Sequence, residues 1–281
     1  MRGAGAWRLL CLVILLLTAP APSSAQGAAA VREMMEASGL VEEFANFGEA
    51  FRLGVLQEGE AEPALPRDEL EQFAAAAGRA MDGGRILQEI ERALSDTLSA
   101  GEIAAMTEFY RTPLGERIRS AEVAAARELP SAEIKAEGAE HREQLRKDPA
   151  RLALLRRMDE ALLASELTVS MSESMMLAIL VGMLEREREG AGQEAFDAFR
   201  DSIAPTRKAL LTEMREDLLA SSARTYRDIS TPDLAAYARF LETDEARANY
   251  AAYFAAMEQI FNARGREIGK EFGTQLRQKK A

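Results

Sequence analysis

Cysteine, histidine and tryptophan occur once each in 281 residues, and two of the three, Trp7 and Cys11, fall at the very start of the chain. Also missing is any run of β-branched residues alternating with polar ones, which excludes a sheet-built fold. An excess of positive charge is missing too: the formal net charge is −11. A surface this acidic repels nucleic acid and anionic lipid, so neither is expected as a partner.

What is present at the start is an address. Arg2 and Arg8 frame a short basic head, Leu9 to Leu17 is an unbroken apolar run, and Pro20, Pro22, Ser23, Ser24 and Ala25 follow. Basic start, short apolar core and small-residue end form a secretory signal peptide, with cleavage expected after Ala25. The run is about half the roughly 20 residues that a spanning helix requires. Bulky Leu10 before Cys11 argues against a lipoprotein. Cleavage removes two cations and takes the charge from −11 to −13. The mature chain, residues 26–281, is expected in the periplasm with no transmembrane segment, no disulfide and no thiolate ligand. Without a disulfide it must hold together through an apolar core, which about 255 residues can supply.

Apolar spacing is helical almost everywhere, so the fold class is all-α. Val31, Met34, Met35, Leu40, Phe44, Phe47 and Phe51 share one face. Asp68 to Met81 forms a helix stopped by Asp82-Gly83-Gly84, and turns fall at Leu129-Pro130 and Asp148-Pro149. A long apolar helix is predicted from Leu152 to about Glu189, ending at Gly190-Ala191-Gly192. The tail cluster of Lys270, Arg277, Lys279 and Lys280 reads as a solvated helix end whose cations suit the dipole.

Two stretches, Leu98–Ile118 and Ile229–Asn249, align without gaps. Ser99, Ala104, Ala105, Phe109 and Thr112 recur as Ser230, Ala235, Ala236, Phe240 and Thr243. In the first, Ser99 and Glu102 make a capping box, and Thr112-Pro113 ends one helix and starts the next. The second keeps the logic with Ser230 and Thr231 before Pro232, and Thr243 before Asp244 and Glu245. The expected architecture is therefore a helical bundle of two similar repeats, residues 26–147 and 148–281, after the signal peptide of residues 1–25.

Phe109-Tyr110-Arg111-Thr112-Pro113-Leu114-Gly115, preceded by Leu98-Ser99-Ala100-Gly101-Glu102-Ile103, resembles the signature of the bacterial family called domain of unknown function 2059. Glu102, Phe109, Tyr110, Thr112, Pro113 and Gly115 carry the match, which covers roughly Leu87 to Ile134. The second stretch departs from it at Leu241, Asp244 and Ala246, like a diverged copy. The resemblance implies an exported helical domain and no assigned activity. An apolar-face position tolerates the exchange of Tyr110 for leucine and a catalytic one does not, so these six residues read as a helix corner.

No residue is assigned a catalytic, cofactor or metal role. His141 lies among charges in Glu140-His141-Arg142-Glu143, with no second imidazole or thiolate for zinc, and no Gly-x-Ser-x-Gly elbow occurs. Acid groups such as Glu42-Glu43, Glu58 to Glu62, and Glu185, Glu187 and Glu189 read as solvated helix faces. No Asp-x-Asp-x-Asp-Gly calcium spacing is present. Met171, Met175, Met176 and Met183 are the most distinctive local feature: they line either an apolar groove, joined by Phe44, Phe47 and Phe51, or an ordinary core. The expected function is non-enzymatic binding of an envelope protein or an apolar ligand. Alternatives are a carboxylate-dependent envelope hydrolase and a hydrophobic-ligand carrier with a cavity between the halves.

Overall fold

Helix follows helix from α1 (Ser24–Ser38) through α2 (Leu40–Glu43), α3 (Phe47–Ala61), α4 (Arg67–Ala80) and α5 (Gly83–Thr97). Next come α6 (Ala100–Tyr110), α7 (Pro113–Ala126), α8 (Ala132–Leu145), α9 (Pro149–Leu162) and α10 (Ala164–Leu184). The chain ends with α11 (Arg207–Thr225), α12 (Thr231–Leu241) and α13 (Asp244–Lys280). This computed structural model describes residues 24–61, 63–129, 131–184, 205 and 207–280. The expected signal peptide, apart from its last residues, and the Gly190-Ala191-Gly192 stop lie outside them. Among the described residues there is no strand, so the fold is all-α.

Capping chemistry sets most of the helix starts. Asp82 accepts the Arg85 amide at 2.8 Å to open α5, and Asp148 accepts that of Arg151 at 3.0 Å ahead of Pro149 in α9. Ser99 and Glu102 form the full capping box: the Ser99 amide donates to Glu102 Oε2 at 2.7 Å, and the Glu102 amide to Ser99 Oγ at 3.3 Å. These backbone and hydroxyl donors hold the Glu102 carboxyl below its ordinary pKa.

Two expected continuous helical stretches are broken. Val31 to Phe51 forms α1, α2 and the start of α3, because Gly39 turns left-handed at φ 85°. A Cβ there would also stand 2.6 Å from Val123 Cγ2 of α7, so only glycine lets the chain turn against that helix. The helix expected from Leu152 to Glu189 divides at Leu163, at φ 50° and 54% exposed. Across the break Asp159 accepts from the Ser165 amide at 2.8 Å, which caps α10 from the preceding helix. Apolar periodicity runs through this point uninterrupted, so the break rests on polar residues that periodicity ignores.

The spine is α13, about 55 Å long at about 1.5 Å per residue. It packs along α10, α4, α5 and α6. Against α10 the approach is close: Cβ atoms at Gly265, Gly269 and Gly182 would fall 2.8, 2.1 and 2.5 Å from backbone oxygens of Met175, Ile179 and Arg266. Ion pairs tie α13 to α4 and α5 through Arg79–Glu271, Arg85–Glu267 and Arg264–Glu89. In the tail, Lys279 pairs with Asp68 and Glu69 in the first turn of α4. One apolar core runs from Val31 in α1 to Ile268 in α13, drawing Ile86, Ile118, Leu155, Leu234 and Leu241 from both sides of residue 148.

The two aligned stretches form the same shape. Each is a capped helix, a Thr corner and a second helix: Thr112 Oγ1 accepts the Gly115 amide at 3.0 Å, and Thr243 Oγ1 that of Ala246 at 3.3 Å. Both threonines also donate to the carbonyl three residues back, Phe109 at 2.7 Å and Phe240 at 2.8 Å. The corners meet face to face. Phe109 stacks on Phe240, its counterpart, with centroids 3.6 Å apart and planes 6° off parallel.

Candidate functional site

The chain has five tyrosines, and all five line a single cavity of about 790 Å³. Four come from the second half of the chain and one from the signature corner. Tyr110 ends α6, Tyr226 follows α11, Tyr237 lies in α12, and Tyr250 and Tyr253 sit one turn apart on α13. Met34, Leu94, Met106, Leu155, Met158 and Leu241 supply apolar wall. Arg156, Glu160, Thr212 and Arg215 are exposed and form the rim toward solvent, where Arg215 pairs with Glu166.

Six acids line this space, and two of them, Glu43 of α2 and Glu122 of α7, lie away from the exposed rim. Glu122 is held by phenols: Tyr226 Oη donates to its Oε1 at 2.6 Å and Tyr237 Oη at 3.0 Å. The network continues through hydroxyl pairs, Tyr237 to Tyr250 at 3.5 Å and Tyr110 to Tyr250 at 3.1 Å. Burial pushes the Glu122 pKa up to about 7 against the lowering effect of those two donors. Burial, then repulsion from Glu122 and Glu42, pushes Glu43 up to about 8. The phenols of Tyr110, Tyr226, Tyr237 and Tyr253 are all raised by the same desolvation, and Tyr250 is raised to about 12. Water-poor surroundings thus keep every group here in its neutral form to a higher pH than in water.

Among the described residues, two neighbouring polar side chains of the cavity stand without a protein partner. The Glu43 carboxyl makes no hydrogen bond or ion pair among the described residues, and neither does the Tyr253 hydroxyl. Asn249, also lining the space, spends its amide on the Met34 sulfur at 3.1 Å. Both residues are half-buried, and the cavity they line is where something other than protein can satisfy them.

The signature residues divide between corner and cavity. Glu102, Thr112 and Pro113 cap helices. Gly115 lets α7 cross the end of α6: a Cβ there would lie 2.1 Å from the Phe109 carbonyl oxygen. Phe109 makes the stack between the corners. Tyr110 is different, because its ring is buried while its hydroxyl joins the network on the cavity floor.

The four methionines singled out by spacing lie elsewhere. Met175 is buried in the core, Met176 is 53% exposed, Met171 is packed at the core's edge, and Met183 faces the glycines of α13. The methionines that line the cavity are Met34, Met106 and Met158. Phe44, Phe47 and Phe51 pack on one another, and Phe47 on Phe261. His141 is half-buried on α8, and among the described residues no group of three His, Cys, Asp or Glu side chains is placed to hold a metal ion.

Spacing missed Glu43 and Glu122 because each looks like one more acid on a charged helix. The legible signal was the tyrosines: rare in this chain and concentrated after residue 225, apart from Tyr110. No curated protein and no solved structure matches this chain. Residues 84–141, which run from α5 into α8 and supply Tyr110 and Glu122, match the model of the bacterial family described as "Uncharacterized protein conserved in bacteria (DUF2059)".

Proposed function

We propose that this chain is an exported, non-enzymatic binding protein of the bacterial envelope that holds an amphiphilic small molecule in the tyrosine-lined cavity. The cavity carries the reading: about 790 Å³ is in the range of sites for small organic ligands, with largely apolar walls and a few convergent polar groups. Its position between elements from both sides of residue 148 fits a carrier whose halves close around cargo.

The hydrolase alternative is less well supported. Two-carboxylate catalysis needs one acid held protonated and the other held ionised. Here burial moves Glu43 and Glu122 in the same direction, and both phenol donors sit on the acid with the lower value. The matching caps and the Phe109–Phe240 stack support descent of the second stretch from a copy of the first. By length and composition α10 is apolar enough to cross a membrane. Its close seam with α13 favours a place in the bundle, because charged Arg264, Glu267 and Glu271 flank the glycines of that seam.

Mass spectrometry of an organic extract of the mature protein, purified without detergent from a bacterial envelope, tests the reading. A stoichiometric amphiphile absent from a control protein is expected. An extract with none, together with a melting temperature unmoved by any amphiphilic probe, overturns it.

A further inference from the structure

We propose that the ligand's polar head is an ammonium group bearing N–H donors, seated between Glu43, Glu122 and the Tyr253 hydroxyl. This inference rests on the binding reading above and names the chemistry its polar end must have. The floor of the cavity is rich in acceptors and has no cation. Phenol and carboxyl oxygens converge there, while the basic groups of the lining, Arg156 and Arg215, stand at the rim. Three of the acids nearer the rim are already engaged. Asp159 accepts from Ser165, Glu166 pairs with Arg215, and Glu216 pairs with Arg142 and Arg146 at 3.6 and 3.7 Å. Outside the cavity, Glu42 is paired with Arg119. Glu160 is exposed to solvent, which leaves Glu43 and Glu122 as the half-buried acids of the lining that face no cation, and the unpartnered hydroxyl of Tyr253 lies with them.

The acceptor set favours an N–H cation over a quaternary one. An aromatic cage for a quaternary ammonium presents ring faces. Four of the five tyrosine rings are engaged by other rings: Phe109 stacks on Tyr237 at 5.7 Å, Tyr226 meets Tyr237 edge-on at 6.1 Å, and Phe109 packs against Tyr110 at 5.3 Å, while Tyr253 meets Phe254 edge-on at 5.7 Å. What the proposed seat offers is oxygen, from the carboxyls of Glu43 and Glu122 and the Tyr253 hydroxyl, and oxygen lone pairs recognise N–H. An ammonium also favours the ionised form of both carboxyls, so its binding near neutral pH drives their protons into solvent. The phenols stay protonated throughout, held there by burial.

Titration calorimetry of the full mature chain with three probes of one length, dodecylammonium, dodecanol and dodecanoate, tests this. Each titration is run below the probe's micelle concentration and in two buffers of different ionisation enthalpy. Dodecylammonium should bind at least ten-fold more tightly than dodecanol, with proton release at pH 7. Glu43→Gln should remove that preference and most of the proton release, and Tyr253→Phe should weaken the ammonium probe while leaving dodecanol unchanged. Equal binding of alcohol and ammonium, tighter binding of dodecanoate, or a preference indifferent to Glu43→Gln overturns the ammonium assignment and leaves the apolar cavity as a binding site. No binding of any probe overturns the binding reading itself.

Discussion

A single added methyl group tests the corner most sharply. Gly115 meets the Phe109 carbonyl and the Tyr110 Cα so closely that a Cβ has no flexible side chain to displace, only backbone. Gly115→Ala should therefore destabilise by about 1 to 3 kcal/mol, as overpacking does, although alanine favours helix. The counterpart Ala246 is fully buried, and its amide lies 0.3 Å farther from the capping threonine than that of Gly115, 3.3 against 3.0 Å. The second corner accommodates what the first excludes. Thr112→Ala removes a cap and should cost about 1 kcal/mol. Phe109 and Phe240 are both half-buried, so their value lies in the stack as much as in burial. A double-mutant cycle to alanine should give a coupling of about 0.5 to 1.5 kcal/mol. Chemical denaturation of the four proteins checks this, and additive losses would show that the rings merely sit side by side.

At the scale of helices, α10 and α13 form the seam on which the fold turns, and its glycines explain why an apolar helix packs beside a highly charged one. Backbones this close exchange dispersion contacts along their whole length, while the arginines and glutamates of α13 reach sideways to α4 and α5. A branched side chain at Gly269 would collide with the backbone of Ile179 and Met183. Gly269→Val should lower the melting temperature well beyond the roughly 2 to 4 °C that one kcal/mol brings in a chain of this size. Gly27→Val, where a Cβ meets nothing, serves as the control and should leave melting close to that of the parent. Helices, caps and the corner were legible in sequence because they depend on neighbours three or four residues apart. The breaks at Gly39 and Leu163 were not, since one depends on Val123 and the other on a capping bond from Asp159 to Ser165. The cavity was less legible still: Glu43, Glu122 and Tyr237 are brought together from α2, α7 and α12, and helical periodicity shows which face a residue shares without showing which helix will cover it.

For the molecule as a whole, burying two carboxyls beside a cavity makes stability depend on pH in an unusual direction. In the unfolded chain each glutamate titrates near its ordinary value of about 4.5. In the folded protein Glu122 titrates at about 7 and Glu43 at about 8. Between those limits the native state binds more protons than the unfolded one, so stability falls as pH rises. The loss begins near pH 4.5, and once pH exceeds about 8 no further loss comes from this pair. For Glu122 alone it is on the order of 3 kcal/mol, from about 1.4 kcal/mol per pKa unit. Ordinary salt-bridged acids give the opposite slope, and self-repulsion in so acidic a chain gives the same one, so the parent protein alone cannot isolate this effect. Glu122→Gln can. Its amide oxygen can still accept from Tyr226 and Tyr237, and it has no charge to desolvate. Thermal melts of the ligand-free chain should show the variant gaining on the parent steadily from pH 5 to pH 8, by several degrees at the upper end. A variant that loses ground across that window would mean that ionised Glu122 stabilises the fold, and that the cavity floor is far better hydrated than its burial implies.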